Sequence, residues 1–436
     1  MRWISAQLSA ALRVPTLVGS FSTGKARLKS VLLTPLTKAM RRVYLDHSAT
    51  TPPDPRVIEA MLPYLTEKFG NASSVHLWGQ EARAAVDRAR RQIARLISAR
   101  ANEIVLTSGG TEANSLAIRG VCEAAASHGQ HIITSTIEHP SVRGAIDSFE
   151  KQGWEVTRLP VYGDGIVRTE DVRAALREDT VLVSVMLANN EIGTIQPIAE
   201  IGAVIRAARD AGHKHLSFHT DAVQAAGRVA IDVEALGVDL LSLSGHKIYA
   251  PKGAGALYLR RGVRLVPQQI GGHQERERRA GTESVANIVA FGAAAELAQN
   301  EKDARNEQTR GLRDRFESEV AARIDEITFN GDRERRLPHL SNISFRFIEG
   351  EGLLIHLDMQ GVAVSTGSAC SSGTLEPSPV ILALGRAEEL ARGAIRFSFG
   401  KDNTEDDVNY VVEALVHAVT SLRHLSPLSR QTAAVT

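Results

Sequence analysis

The chain has 436 residues, 43% of them hydrophobic, and its 51 Lys and Arg nearly cancel 50 Asp and Glu. That length supports a large buried core and two domains, and the balanced charge excludes the broad field that gathers nucleic acid or an anionic membrane. No apolar stretch approaches the roughly 18 uncharged residues of a membrane span, and the only cysteines, Cys122 and Cys370, are too few for a disulfide framework. A small-molecule substrate and a reducing compartment are the expectation.

Residues 1–39 stand apart. Arg2, Arg13, Lys25, Arg27, Lys29 and Lys38 occur there, and no acidic residue precedes Asp46. This leader-like composition suits an organellar transit peptide, which would place the protein in the mitochondrial matrix. The preferred reading is that Met40 is the start, with a bacterial, cytoplasmic protein following and residues 1–39 unstructured. Gly19 to Lys25 imitates a phosphate-binding P-loop, but Ala26 stands where a Mg²⁺-binding Ser or Thr is required and no βαβ pattern surrounds it.

From about residue 80 helical periodicity alternates with short β-rich runs, predicting an α/β architecture with a mostly parallel sheet covered by helices. Ala82, Ala85, Val86, Ala89, Ile93, Leu96 and Ile97 recur at three- and four-residue steps, so residues 80–98 read as an amphipathic helix. Strands are expected at 103–107, 131–135, 180–187, 216–219 and 240–244. The last four end beside the most unusual polar residues of the chain: Glu138 and His139, Asn189 and Asn190, Asp221 and Gln224, and Ser244 to Lys247. Ligands of open α/β sheets bind outside the carboxyl ends of the strands, so these endings are expected to converge. A long helix over 284–325, crowded with Arg and Glu, is expected to lead into a smaller domain carrying Cys370. The predicted divisions are 40–55 packing with the small domain, 56–300 the large domain, 301–425 the small domain, and 426–436 a tail.

Several residues carry chemistry. Thr107 to Ser115 reads as a strand end, a glycine turn and a helix start, which can present backbone N–H groups and a hydroxyl to a phosphate, although such turns are commonly just caps. Lys247 follows an apolar strand, where burial would favour the neutral nucleophilic amine needed for a Schiff base; in isolation it would read as a surface lysine. Asp221 closes the preceding strand, where an acid could keep a pyridinium nitrogen protonated, or merely cap a helix. Cys370 sits in a Gly- and Ser-rich loop that favours exposure, whereas Cys122 has the helical spacing of a core residue. His213, His215 and His219 are too sparse a donor set to predict a metal.

These segments together resemble the cysteine desulfurases, in the nitrogenase and iron–sulfur-assembly branch of the pyridoxal phosphate (PLP)-dependent class V aminotransferases. The resemblance runs from Val43 to Pro427. It is carried by Tyr44–Thr51, Ser-Gly-Gly-Thr-Glu at 108–112, Glu-His-Pro-Ser-Val at 138–142, Asn-Asn-Glu-Ile-Gly at 189–193, Ser-Gly-His-Lys at 244–247, Arg-Ala-Gly-Thr-Glu at 279–283 and Gly-Ser-Ala-Cys at 367–370. It implies the fold type I of PLP-dependent transferases, similar to aspartate aminotransferase, with a smaller α+β C-terminal domain. It also implies a homodimer.

By the same resemblance, Lys247 would hold PLP as a Schiff base, His139 would stack on its ring, Asp221 would pair with the ring nitrogen and Gln224 would contact the phenolic oxygen. Gly110, Thr111, Ser244 and His246 would cradle the phosphate, with Thr282 reaching in from the partner subunit. Asn190, at the cofactor and substrate, and Arg396 would hold the carboxylate of L-cysteine; without the resemblance Arg396 would read as a surface ion pair. Cys370 would accept the sulfur as a persulfide, leaving alanine, and pass it to an acceptor protein such as an iron–sulfur scaffold. His47 and Gly110 stand where related enzymes vary. The segment after Leu425 lacks the acidic and aromatic tail that docks a scaffold in that branch, which leaves the acceptor open. The rival readings are a selenocysteine lyase, an aminotransferase of the same fold, and a non-catalytic PLP-fold scaffold.

Overall fold

The computed structural model describes residues 41–367 and 376–425. Cys370, the segment 1–39 with its P-loop-like stretch, and the tail 426–436 lie outside the described residues. In chain order the strands are β1 (Val43–Tyr44), β2 (Ile104–Thr107), β3 (His131–Ser135), β4 (Glu155–Leu159), β5 (Thr180–Ser184), β6 (Ser217–Asp221), β7 (Leu240–Ser244), β8 (Gly255–Leu259), β9 (Ile327–Phe329), β10 (Leu340–Phe345), β11 (Val362–Ala363) and β12 (Ala394–Ser398).

Seven of them form one sheet in the order β2-β8-β7-β6-β5-β3-β4. Neighbours pair in parallel from β7 to β4, while β8 runs antiparallel to both β7 and β2. Strands β2, β3, β5, β7 and β8 are buried at every position, which is why they read as continuous β-rich runs and not as alternation. The five expected strands are present, with β5 ending at Ser184, earlier than expected, and β6 extending to Asp221. Two more, β4 and β8, fill out the sheet.

Helices cover both faces. The helix Leu77–Leu96 buries Ala82, Ala85, Val86, Ala89 and Ile93, the stripe its periodicity predicts, and packs along the helix Val285–Asn300. A Cβ on Gly292 would lie 2.6 Å from Ala89 Cα, so the glycine permits this close approach. The single helix expected over 284–325 is instead two, Val285–Asn300 and Lys302–Arg323, meeting at Glu301. The first is apolar nearly all round and mostly buried, with Glu296 its one charged residue, and the second carries all of the Arg and the other Glu. One periodicity hid two environments.

A second core gathers Val43, Leu45, Phe316, Ile343, Phe345, Leu357, Phe397 and Leu415 around the three-stranded antiparallel sheet β12-β10-β9. The Phe316 ring meets Phe397 at 4.8 Å and Phe399 at 5.7 Å between centroids, and each such buried aromatic contributes roughly 1.5–3 kcal/mol. Strand β1 pairs in parallel with β11. This carries the segment 46–51 back over the carboxyl ends of β6 and β7. Among the described residues, no helix is long and apolar enough to cross a membrane.

Candidate active site

A cleft with about 940 Å³ of empty space opens where β3, β5, β6 and β7 end and the segments after them turn away. Ten of the residues singled out from the sequence line it: Gly110, Thr111, His139, Asn190, Asp221, Gln224, Ser244, His246, Lys247 and Arg396. Thr282 does not line it and is exposed. Gly367, three residues before Cys370, stands at its edge.

Lys247 is set by the end of β7, where Gly245–Lys247 forms a single turn. Its Nζ donates to the main-chain carbonyls of Ser48 at 2.6 Å and Ala49 at 2.7 Å. Asp221 closes β6 with 5% of its surface exposed. Its Oδ1 accepts from the Val223 N–H at 2.9 Å and its Oδ2 from Asn114 Nδ2 at 2.7 Å. His139 caps the helix Pro140–Glu150, its Nδ1 accepting from the Ser141 N–H at 3.1 Å. Burial pulls its pKa down, with the nearby Lys247 and Arg143 acting in the same direction and Asp221 opposing them. His246 is pushed down to about 4 by burial and by Lys247 and Lys252, and its Nδ1 lies 3.1 Å from Thr50 Oγ1.

Arg396 lies on β12, only 3% exposed, pairing with Asp46 Oδ1 at 2.7 Å and donating to the Asn190 carbonyl at 2.9 Å. A surface ion pair, the reading favoured without the family resemblance, is therefore incorrect: the guanidinium is buried at the cleft. Its Nε has no hydrogen-bond partner.

The cleft retains bonding capacity that the described protein does not use. Ser244 Oγ and Gln224 Oε1 are buried without partners, an arrangement natural proteins rarely leave unanswered. The helix Gly110–Ala125 begins at the cleft, so its free N–H groups and dipole favour an anion. A Cβ on Gly110 would come within 2.8 Å of Val223 Cγ2, so a larger residue would crowd this corner. A phosphate-bearing ring with an amine-reactive carbonyl suits these residues: an anion at the helix start and Ser244, an acid beside a ring nitrogen, and a lysine opposite.

Elsewhere the outcomes diverge. Cys122 is fully buried, and burial pushes its thiol pKa up, as befits a core residue. His219 lies inside the sheet, within 2.8 Å of Ser184 Oγ and 3.0 Å of Ser242 Oγ, whereas His215 is exposed and its ring stacks on His128. The histidine cluster of the sequence is thus split between interior and surface.

Sequence reasoning missed Asn114, Ser141, Met186 and the carbonyls of Ser48 and Ala49. The first two lay within quoted segments: Asn114 is one helical turn from Gly110 and Ser141 is two residues after His139. The carbonyls had no side-chain signal.

The model of the aminotransferase class-V family matches residues 43–411. A "Cysteine desulfurase IscS" of Dictyoglomus turgidum is 50% identical over 391 residues, covering 90% of this chain and 98% of that protein. Another, of Methanosarcina thermophila, is 49% identical over 389 residues, covering 89% and 95%. Among solved structures, a NifS-like protein superposes with a TM-score of 0.81 at 34% identity, over 87% of this chain and all of that one. SspA in complex with cysteine gives 0.72 at 34% identity, over 83% and 99%. With its cleft suited to the cofactor of that family, the chain belongs to the PLP-dependent class-V aminotransferases, in their cysteine desulfurase branch.

Proposed function

We propose that the chain converts L-cysteine to L-alanine and takes the sulfur onto Cys370 as a persulfide, from which an acceptor protein removes it. The observation that carries this reading is the convergence of Lys247, Asp221, His139 and Arg396 on one cleft, in a chain half identical to a cysteine desulfurase. The complex of SspA with cysteine supports the substrate.

PLP bound through Lys247 supplies an electron sink for the substrate's α-carbon. Arg396 and Asn190 hold the substrate carboxylate, the guanidinium being already oriented by Asp46 and the Asn190 carbonyl. Asp221, fixed by Asn114 and the Val223 N–H, would hold the proton of the ring nitrogen. Gly110, Thr111, Ser244 and His246 would hold the phosphate, Gln224 the phenolic oxygen, and His139 would face the ring. Lys247 would take up the α-proton, and the Ser48 and Ala49 carbonyls to which its Nζ donates would receive the ammonium. The Cys370 thiolate attacks the substrate sulfur, so an S–S bond forms as the C–S bond breaks. The electron pair of that bond remains with the carbon fragment, which is protonated and leaves as alanine.

We place Thr282 in the cleft of a partner subunit. The exposure of Leu62, Leu65, Phe69, Val75, Leu77 and Trp78 supports a homodimer, because apolar side chains clustered in sequence and left exposed suit a second copy. The acceptor is proposed as a protein of iron–sulfur or other sulfur-cofactor synthesis, and the site of action as the cytoplasm.

Incubation of the purified protein with L-cysteine and a reductant tests the reading. Alanine and sulfide from wild type, and from Cys370→Ser only cofactor binding without either product, are expected. A Cys370→Ser variant that still released both would transfer the assignment to a lyase that does not use the thiol.

A further inference from the structure

Four hydrogen bonds connect Asp221 to His139 through Asn114, so far assigned only to fixing Asp221, and Ser141. Asn114 is 1% exposed; its Nδ2 lies 2.7 Å from Asp221 Oδ2 and 2.8 Å from Ser141 Oγ. Ser141 Oγ is in turn 2.7 Å from His139 Nδ1, and the Ser141 N–H points to the same nitrogen at 3.1 Å.

The directions of these bonds follow from elementary donor and acceptor chemistry. A carboxylate oxygen accepts, so the Asn114 atom facing Asp221 is the nitrogen, and the two hydrogens of that amide serve Asp221 and Ser141. Ser141 Oγ therefore accepts from Asn114, and its own O–H is left to donate to His139. The backbone N–H of Ser141 has no alternative role: Pro140 ahead of it lacks one, and this is the first free N–H of the helix Pro140–Glu150. Two donors thus converge on His139 Nδ1, which must carry a lone pair. The ring proton resides on Nε2.

We infer that Asn114 and Ser141 are positioning residues that lock His139 as a neutral ring protonated on Nε2, so that it offers the cleft a hydrogen-bond donor and not a proton acceptor. An imidazolium would set an Nδ1–H against the Ser141 N–H. The charged groups acting on the ring agree in sum: burial, Lys247 and Arg143 disfavour the cation, and Asp221 alone favours it. Proton transfer from the substrate's α-carbon then falls to Lys247, while His139 stacks and donates. This rests on the cleft being the catalytic site, but the tautomer itself does not depend on turnover.

Selective ¹⁵N-histidine labelling of the holoenzyme, with long-range ¹⁵N–¹H correlation between pH 6 and 8, reads the tautomer directly. Loss of one signal set in His139→Gln identifies the residue. The expected result is a ring protonated on Nε2 wherever it is neutral, with the titration carried far enough below pH 6 to reach its protonation midpoint. Ser141→Ala removes one of the two donors, so protonation of His139 should move up by roughly half to one pH unit, and Ser141→Thr, which keeps the hydroxyl, should restore it. A ring protonated on Nδ1, or a protonation midpoint identical in wild type and Ser141→Ala, overturns the inference. The wild-type spectrum alone decides the tautomer should the alanine variant fail to fold, and a failed desulfurase assay beside an Nε2-protonated ring would sink the function while leaving this assignment intact.

Discussion

His139 lines the cleft and His219 lies on β6 two residues before Asp221; burial lowers the pKa of both, yet they serve different ends. His219 spans β5, β6 and β7 with a serine on each ring nitrogen, and burial pushes its pKa down to about 3. His139 spends one nitrogen on the helix Pro140–Glu150 and lines the cleft. The difference teaches that burial alone does not mark the chemistry of this fold: what separates the two rings is that only His139 faces the cleft. His219 has a serine for each ring nitrogen, while Ser244 Oγ and Gln224 Oε1, buried at the cleft without partners, have capacity for a ligand.

The comparison is sharpened first at its functional pole. Lys247→Ala should lower the rate of alanine formation by about 10²–10⁴-fold, the range of a lost proton-transfer group, with more loss if the cofactor no longer binds; retention of more than a tenth of the activity would contradict the role. Arg396→Lys keeps the charge but not the planar fork, so kcat/KM for cysteine should fall about 10–100-fold, the equivalent of one charge-assisted hydrogen bond. If KM and kcat are both unchanged, the carboxylate is held elsewhere.

At the structural pole the readout is stability. His219→Ala orphans Ser184 and Ser242 and should cost about 1–3 kcal/mol in denaturant unfolding, while the rate per folded molecule changes little. His219 also contributes a pH dependence. Its folded pKa lies below the unfolded value, so its stabilisation is complete above about pH 6.5 and declines as pH falls toward 3.

Glu138 has the opposite sign. Burial, and secondarily Asp221, raise its pKa to about 8, with Ser135 Oγ and the Met186 N–H donating to Oε1. The folded state holds a proton that the unfolded chain releases near pH 4.5, so stability falls as pH rises from about 4.5 to 8, by up to about 1.4 kcal/mol per unit. Glu138→Gln should remove that slope; a variant whose unfolding midpoint kept the wild-type slope would show that Glu138 is ionised.

Much of this was legible in the chain itself. The buried strands announced themselves as β-rich runs, and the residues after them, His139, Asp221 and Lys247, carried chemistry recognisable one by one. Strand β4 escaped because Glu155 and Arg158 break its apolar run and its pattern is half exposed. Strand β8 escaped because it opens on Gly255, a residue that ordinarily ends structure, but here lets β8 approach Gly109, where a Cβ would come within 2.5 Å. The burial of Arg396 depends on Asp46, 350 positions away, and no local pattern reports such a contact. Lys247 is received by main-chain carbonyls, which every residue possesses, so composition could not single them out.

The central claim is that sulfur passes from cysteine to Cys370. Mass spectrometry of the holoenzyme after one equivalent of L-cysteine, without reductant, tests it most directly. The account predicts a gain of one sulfur atom on the peptide containing Cys370, matched by one alanine released and absent in Cys370→Ser. Alanine released without added sulfur on that peptide, or sulfur found on Cys122 instead, would contradict it.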